Sequence, residues 1–140
     1  MIVARRRLVL LAACAAAPAA DASPSEVAAS IRALVGDAPL RDGVVHLELP
    51  VMVENGNTVA MTVSAVDPPA PVVAIHVFAD GNPLPRVAVF RFGPSSGPPA
   101  VSTRIRLATS QTVIALAQLR DGTWWRDSVE LLVTLAACIE

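Results

Sequence analysis

From Val45 onward the chain alternates. Val45, Leu47 and Leu49 flank His46 and Glu48, and Val59, Met61 and Val63 oppose Thr58, Thr62 and Ser64. An apolar position at every second residue puts one face of a strand against a core and leaves the other polar. Similar strands are predicted over Val72–Ala79, Val87–Phe92, Val101–Leu107, Gln111–Leu119 and Trp124–Leu135. Turn residues separate them. Glu54, Asn55, Gly56 and Asn57 predict a hairpin turn between the first two strands, and Asp67, Pro68, Pro69 and Pro71 stop the second. The stretch Asp80–Pro85 reads as a loop, because its two prolines cannot sit in a central ladder and Gly81 admits positive φ. Gly97 with Pro98 and Pro99, Thr109 with Ser110, and Asp121 with Gly122 mark the later turns.

Before this region the period is 3.6. Ser23 and Glu26 make a capping box, Pro24 suits the first turn, Val27, Ile31, Leu34 and Val35 share one face, and Gly36 supplies the stop. The expected fold is therefore all-β: an immunoglobulin-like β-sandwich of about seven strands preceded by one short N-terminal helix. No cysteine pair is placed to bridge its sheets, so packing must hold it together.

The first residues predict export. Arg5, Arg6 and Arg7 precede an apolar run, Leu8 to Ala17, too short to span a bilayer, and Ala20 and Ala22 make an Ala-x-Ala cleavage site. Residues 1–22 thus read as a signal peptide, on the general or the twin-arginine route, to the periplasm. Residues 23–135 form the domain and residues 136–140 a C-terminal arm. A competing reading makes Leu11-Ala12-Ala13-Cys14 a lipobox with Cys14 lipidated, which is the one route by which a membrane would enter. Loss of the leader removes three arginines and Asp21, taking the net charge from -1 to about -3. An acidic domain without lysine has no general attraction for phosphate backbones, which argues against nucleic acid as a partner.

Cleavage also removes Cys14 and leaves Cys138 alone in an oxidising compartment. An unpaired cysteine there implies an intermolecular bond or a reactive thiol. Burial as a small hydrophobe is the alternative; against it, only Ile139 and Glu140 follow, and chain ends are seldom buried.

Other chemistry is sparse. His46 and His76 lie in separate strands without a cluster of carboxylates or thiols at metal-ligand spacing, so both read as solvent-facing or hydrogen-bonded structural residues and no metal is expected. No nucleophile elbow, phosphate loop or dinucleotide fingerprint occurs, and no base stands near a nucleophile, so neither an enzyme nor a cofactor is expected. Arg104 and Arg106 alternate with Ile105 and Leu107, so both guanidinium groups share a strand face, either as a solvated surface or as an anion or partner contact. Trp124 and Trp125 point to opposite faces, one toward the core and the other to a surface or interface.

Several blocks in order resemble SoxY, the sulfur-carrier family of bacterial thiosulfate oxidation: Leu49-Pro50, Glu54-Asn55-Gly56-Asn57-Thr58-Val59, Ile75-His76-Val77-Phe78-Ala79 with Asn82-Pro83, Val101 to Ala108, Asp121-Gly122 and Val133-Thr134. The resemblance implies an immunoglobulin-like sandwich, a SoxZ-like subunit as heterodimer partner, and a carrier cysteine at Cys138. Where the family's arm carries glycines around its cysteine, this one reads Ala136-Ala137-Cys138-Ile139-Glu140. That ending is similar to a SoxY-related branch associated with periplasmic quinoprotein dehydrogenase systems. Alanines stiffen the arm, Ile139 widens the entrance a partner enzyme must offer, and Glu140 with the terminal carboxylate disfavours the thiolate unless positive charge is supplied.

The leading expectation is a carrier holding a small intermediate, sulfur-containing or thiol-reactive, covalently on Cys138 while periplasmic oxidoreductases or hydrolases act on it. Two alternatives remain at this point: thiosulfate carriage as in SoxY proper, and a binding module that bonds a partner through Cys138.

Overall fold

The computed structural model describes residues 23–135. Helix α1 (Pro24–Val35) starts as its capping box requires: Ser23 N–H donates to the Glu26 carboxylate at 2.7 Å, and the Ser23 hydroxyl accepts from Glu26 N–H at 3.4 Å. Gly36 ends it at φ 67°, with its N–H donating to the Arg32 carbonyl. The helix buries Val27 against Phe78, Leu116 and Trp124, and Ile31, Leu34 and Val35 flank that contact.

Nine strands are described, against the seven expected: β1 (Leu40–Arg41), β2 (Val45–Glu48), β3 (Met52–Val53), β4 (Val59–Ala65), β5 (Val72–Ala79), β6 (Arg86–Arg91), β7 (Ala100–Ile105), β8 (Gln111–Leu119) and β9 (Trp124–Val133). The two unexpected ones, β1 and β3, are two residues long and lie parallel to β9, at Trp124–Trp125 and at Leu132–Val133. Two residues are too few to display a period, so no pattern announced them. The larger sheet runs β1-β9-β8-β5-β6, with β3 on the same β9; the smaller runs β2-β4-β7.

Strands β2 and β4 pair antiparallel from Val45 opposite Ala65 to Glu48 opposite Thr62. Their connection is more than the expected turn, because β3 crosses to the other sheet on the way. Between the sheets lies the main core, with Leu47, Met61, Val63, Ile75, Val77 and Leu131 among its buried members. The larger sheet is thus covered on both faces, by α1 and by the smaller sheet.

Strand β7 ends at Ile105, two residues before the expected limit. Beyond it the ladder gives way to an amide side chain: Asn82 Nδ2 donates to the Arg106 carbonyl, and Asn82 Oδ1 accepts from Ala108 N–H, both at 2.9 Å. Trp124 is buried in the helix cluster and the half-buried Trp125 packs against the main core, on opposite faces as expected.

Candidate functional site

The fold carries β9 in register beside β8 as far as Leu131 and then hands it to β3. Val133 N–H donates to the Ser110 hydroxyl at 2.8 Å, and Thr134 N–H to the Val53 carbonyl at 2.9 Å. The last tie among the described residues is at Leu135, whose carbonyl accepts from Gly56 N–H at 2.9 Å. The Glu54–Asn57 turn therefore has a second role, as the anchor of the chain just ahead of the cysteine. Gly56 works on both sides, since its own carbonyl accepts from Leu107 N–H at 2.8 Å. One residue thus bridges Leu135 and the segment that carries Arg106.

Cys138 follows three residues after Leu135, and it lies outside the described residues together with Ala136, Ala137, Ile139 and Glu140. So do residues 1–22 and hence Cys14. Around the anchor, apolar side chains face solvent: Met52 is 61% exposed, Leu132 56% and Leu135 61%.

Arg104, in β7 on the edge of the smaller sheet, and Arg106, just past the end of that strand, are both exposed and lie beside this anchor. The Arg104 guanidinium donates to the Thr58 hydroxyl at 3.4 Å, and neither arginine joins a salt bridge among the described residues, where the ion pair is Arg126 with Asp42. An open groove of about 570 Å³ runs between β6 and β7, the free edges of the two sheets. Val87, Ala88, Phe90 and Ile105 give it an apolar lining; Arg86, Arg104 and Arg106 also border it, with the Arg86 guanidinium lying over the Phe78 ring and that of Arg104 turned to Thr58, and no carboxylate among the described residues lines it.

The end of the groove nearest the anchor is fixed by a buried amide pair that alternation cannot reveal. Besides its bonds to residues 106 and 108, Asn82 Oδ1 accepts from Gln111 Nε2 at 3.0 Å. Gln111 also donates to the Thr109 carbonyl at 2.9 Å and accepts from Gly81 N–H at 2.8 Å. Every polar atom of the two amides is used, which is what burial demands. Gly81, expected to supply positive φ, does not adopt it; its role is space, since a Cβ there would lie 2.8 Å from Thr109 Cγ2 and 2.9 Å from Gln111 Cβ.

His76 also departs from expectation. It is only 4% exposed, its ring centroid lies 5.8 Å from that of Trp124, and its Nδ1 has no hydrogen-bond partner. Burial, reinforced by the positive charges of Arg86 and Arg91, holds it below the ordinary imidazole range. Among the described residues no group of three or more potential ligands could hold a metal ion.

A search of curated proteins finds no match. Among solved structures, the sulfur carrier protein SoxY from Chlorobium limicola f thiosulfatophilum is 30% identical with a TM-score of 0.68, over 81% of this chain and 100% of that one. The superoxide reductase (neelaredoxin) from Ignicoccus hospitalis, at 16% identity and TM-score 0.58 over 81% and 94% of the two chains, shares the fold alone. The same holds for a putative superoxide reductase from Thermotoga maritima, at 24% and 0.55 over 67% and 93%. The family model for the sulfur oxidation protein SoxY matches residues 31–138, a span that runs from the helix to the cysteine. The chain belongs to the SoxY family.

Proposed function

We propose that this protein is a periplasmic carrier that holds a small sulfur-containing or thiol-reactive intermediate on Cys138 and presents it to partner enzymes. The observation that carries the reading is the anchor at Leu135: the sandwich grips the chain by backbone hydrogen bonds up to three residues before the cysteine. Three residues span about 10 Å when extended, enough to enter an enzyme cleft and too little to wander from the body. Family membership and the SoxY structure support sulfur carriage as the role.

The Ala-Ala-Cys-Ile-Glu ending favours a pathway associated with a quinoprotein dehydrogenase over thiosulfate carriage proper. A SoxZ-like subunit is the expected heterodimer partner, since β6 and β7 are open sheet edges and Met52, Leu132 and Leu135 leave apolar surface to cover. Periplasmic oxidoreductases or hydrolases would then read the cargo in turn. Replacing Cys138 with serine in the native organism tests the reading. Pathway flux should be abolished while the protein still folds and still co-purifies with its partner; retained flux would refute it.

A further inference from the structure

We propose that Asn55 is a latent deamidation site held shut by the anchor at Leu135, and that its conversion to isoaspartate makes release of that anchor permanent. The inference concerns the anchor itself and holds whatever Cys138 carries. Three observations carry it.

Sequence is the first. The chain has three asparagines, and a side-chain amide is lost most readily where the nitrogen of the next residue can reach its Cγ unhindered. Pro83 follows Asn82 and brings no N–H, and the branched Thr58 follows Asn57, whereas Gly56 follows Asn55 and has no Cβ to obstruct ring closure. Asn55 is also exposed, so water can reach it.

The electrophile is the second. Asn55 Oδ1 accepts from Asn57 N–H at 3.0 Å and from Asn57 Nδ2 at 3.1 Å. Two donors on one carboxamide oxygen draw electron density from Cγ and are in place for the negative charge that builds on Oδ1 during attack.

The nucleophile is the third, and here the fold intervenes. Gly56 is buried; its N–H donates to the Leu135 carbonyl at 2.9 Å, and its carbonyl accepts from Leu107 N–H at 2.8 Å. Attack requires the Gly56 nitrogen to give up its proton and turn toward Cγ, so it waits for Leu135 to let go. The restraint is local. Near Leu135 the end of β9 is held by the two-residue β3, by the Ser110 hydroxyl on Val133 N–H at 2.8 Å, and by the Thr134 hydroxyl, 3.3 Å from the Val53 and Glu54 carbonyls. Such an end opens at far lower cost than the core.

The reaction balances with water alone. Once the anchor opens, the Gly56 nitrogen loses its proton and bonds to Asn55 Cγ; the Cγ–Nδ2 bond breaks, and Nδ2 departs with that proton as ammonia. Water then opens the cyclic imide at either carbonyl, leaving aspartate or isoaspartate at position 55. Isoaspartate routes the backbone through Cβ and Cγ and adds one carbon, about 1.5 Å of chain, ahead of Gly56. Gly56 can then no longer meet Leu135 and Leu107 together.

Purified full-length protein, aged at mildly alkaline pH both folded and in urea, tests this by peptide mapping of isoaspartate and of the gain of about 1 Da. The folded chain should react at Asn55 at least roughly tenfold more slowly than the unfolded one, because reaction draws on the open fraction alone. S110A/T134V, which removes side-chain ties at Val133 and Thr134, should quicken both Gly56 amide exchange and the modification by roughly threefold or more. In the isoaspartyl form the Gly56 and Leu107 amides should lose protection while those of β5 and β8 keep theirs. Equal rates folded and unfolded, a modification rate unmoved when Gly56 exchange quickens, or isoaspartyl protein with both amides still protected would each overturn the proposal. The urea comparison needs no variant and decides the matter if S110A/T134V fails to fold. None of these readouts uses the Cys138 thiol, so failure here and failure of the carrier reading remain separate results.

Discussion

The two sheets of this sandwich are built from the same alternation but live in different surroundings. The larger one is covered on both faces, by α1 and by its companion, and its interior strand β5 is buried at every position from Ala74 to Ala79. The smaller is covered on one face; β2 and the first part of β4 alternate buried and open, and its free face carries His46, Thr62, Ser102 and Arg104. Two covered faces leave a sheet nothing to offer a ligand, so stability concentrates in the larger sheet. Recognition falls to the smaller one and to the edges where the two part.

The sharpest way to break this contrast is to remove bulk from each sheet. Phe78, fully buried between β5 and the helix, should cost about 3–5 kcal/mol when truncated to alanine, read as a shift in the urea midpoint. An equal loss from Thr62→Ala would erase the contrast. That change removes a 2.9 Å hydroxyl contact with Ser102 on the open face and should cost no more than about 0.5–1 kcal/mol.

Between these limits lies the amide pair at the end of the groove. Asn82→Ala strands Ala108 N–H and the Arg106 carbonyl and deprives Gln111 of a partner, so a loss of roughly 2–3 kcal/mol is expected. Its hydrogen-exchange signature should centre on residues 106–111 rather than spread over the sheet. Global exchange would mean that the pair supports the whole core.

His76 sharpens the comparison through pH. Burial, and then two arginines, hold its imidazole below the ordinary range in the folded protein, while in the unfolded chain it titrates at its ordinary value near 6.5. The unfolded state therefore binds the extra proton first as pH falls, and stability contributed by the neutral ring is complete above about pH 6.5 and declines below it. His76→Leu should flatten this acid limb of the urea midpoint against pH.

The smallest effect belongs to the arginines. R104Q/R106Q should move the melting temperature by little, within about 0.5 kcal/mol of wild-type stability, since both side chains are exposed and outside any described ion pair. A large loss would make them structural.

The smaller sheet was the easier one to read in the sequence, because one-sided burial imposes the alternation seen from Val45 to Glu48 and from Val59 to Val63. In the larger sheet Val72–Ala79 was legible as a strand, yet its near-continuous apolar run concealed that His76 would be buried and Nδ1 left unpartnered. Strands β1 and β3 were illegible because two residues carry no period. Gly81 was read through its backbone freedom, whereas its neighbours Thr109 and Gln111 come from another segment and only tertiary packing brings them together. The same distance in sequence hid Asn82 and Gln111, whose only trace was an asparagine in a loop. Cysteine arithmetic singles out Cys138 once the leader is taken as removed; the anchor three residues before it depends on Gly56, which sequence could assign to a turn but not to Leu135.

Intact mass of the native protein, purified from its own organism without reductant and followed by peptide mapping, tests the central claim most directly. The account predicts a small covalent adduct localised to Cys138, absent after reduction or chemical release and absent from Cys138→Ser. A bare thiol under conditions of active pathway flux, or the mass of a whole second polypeptide bonded there, would contradict it.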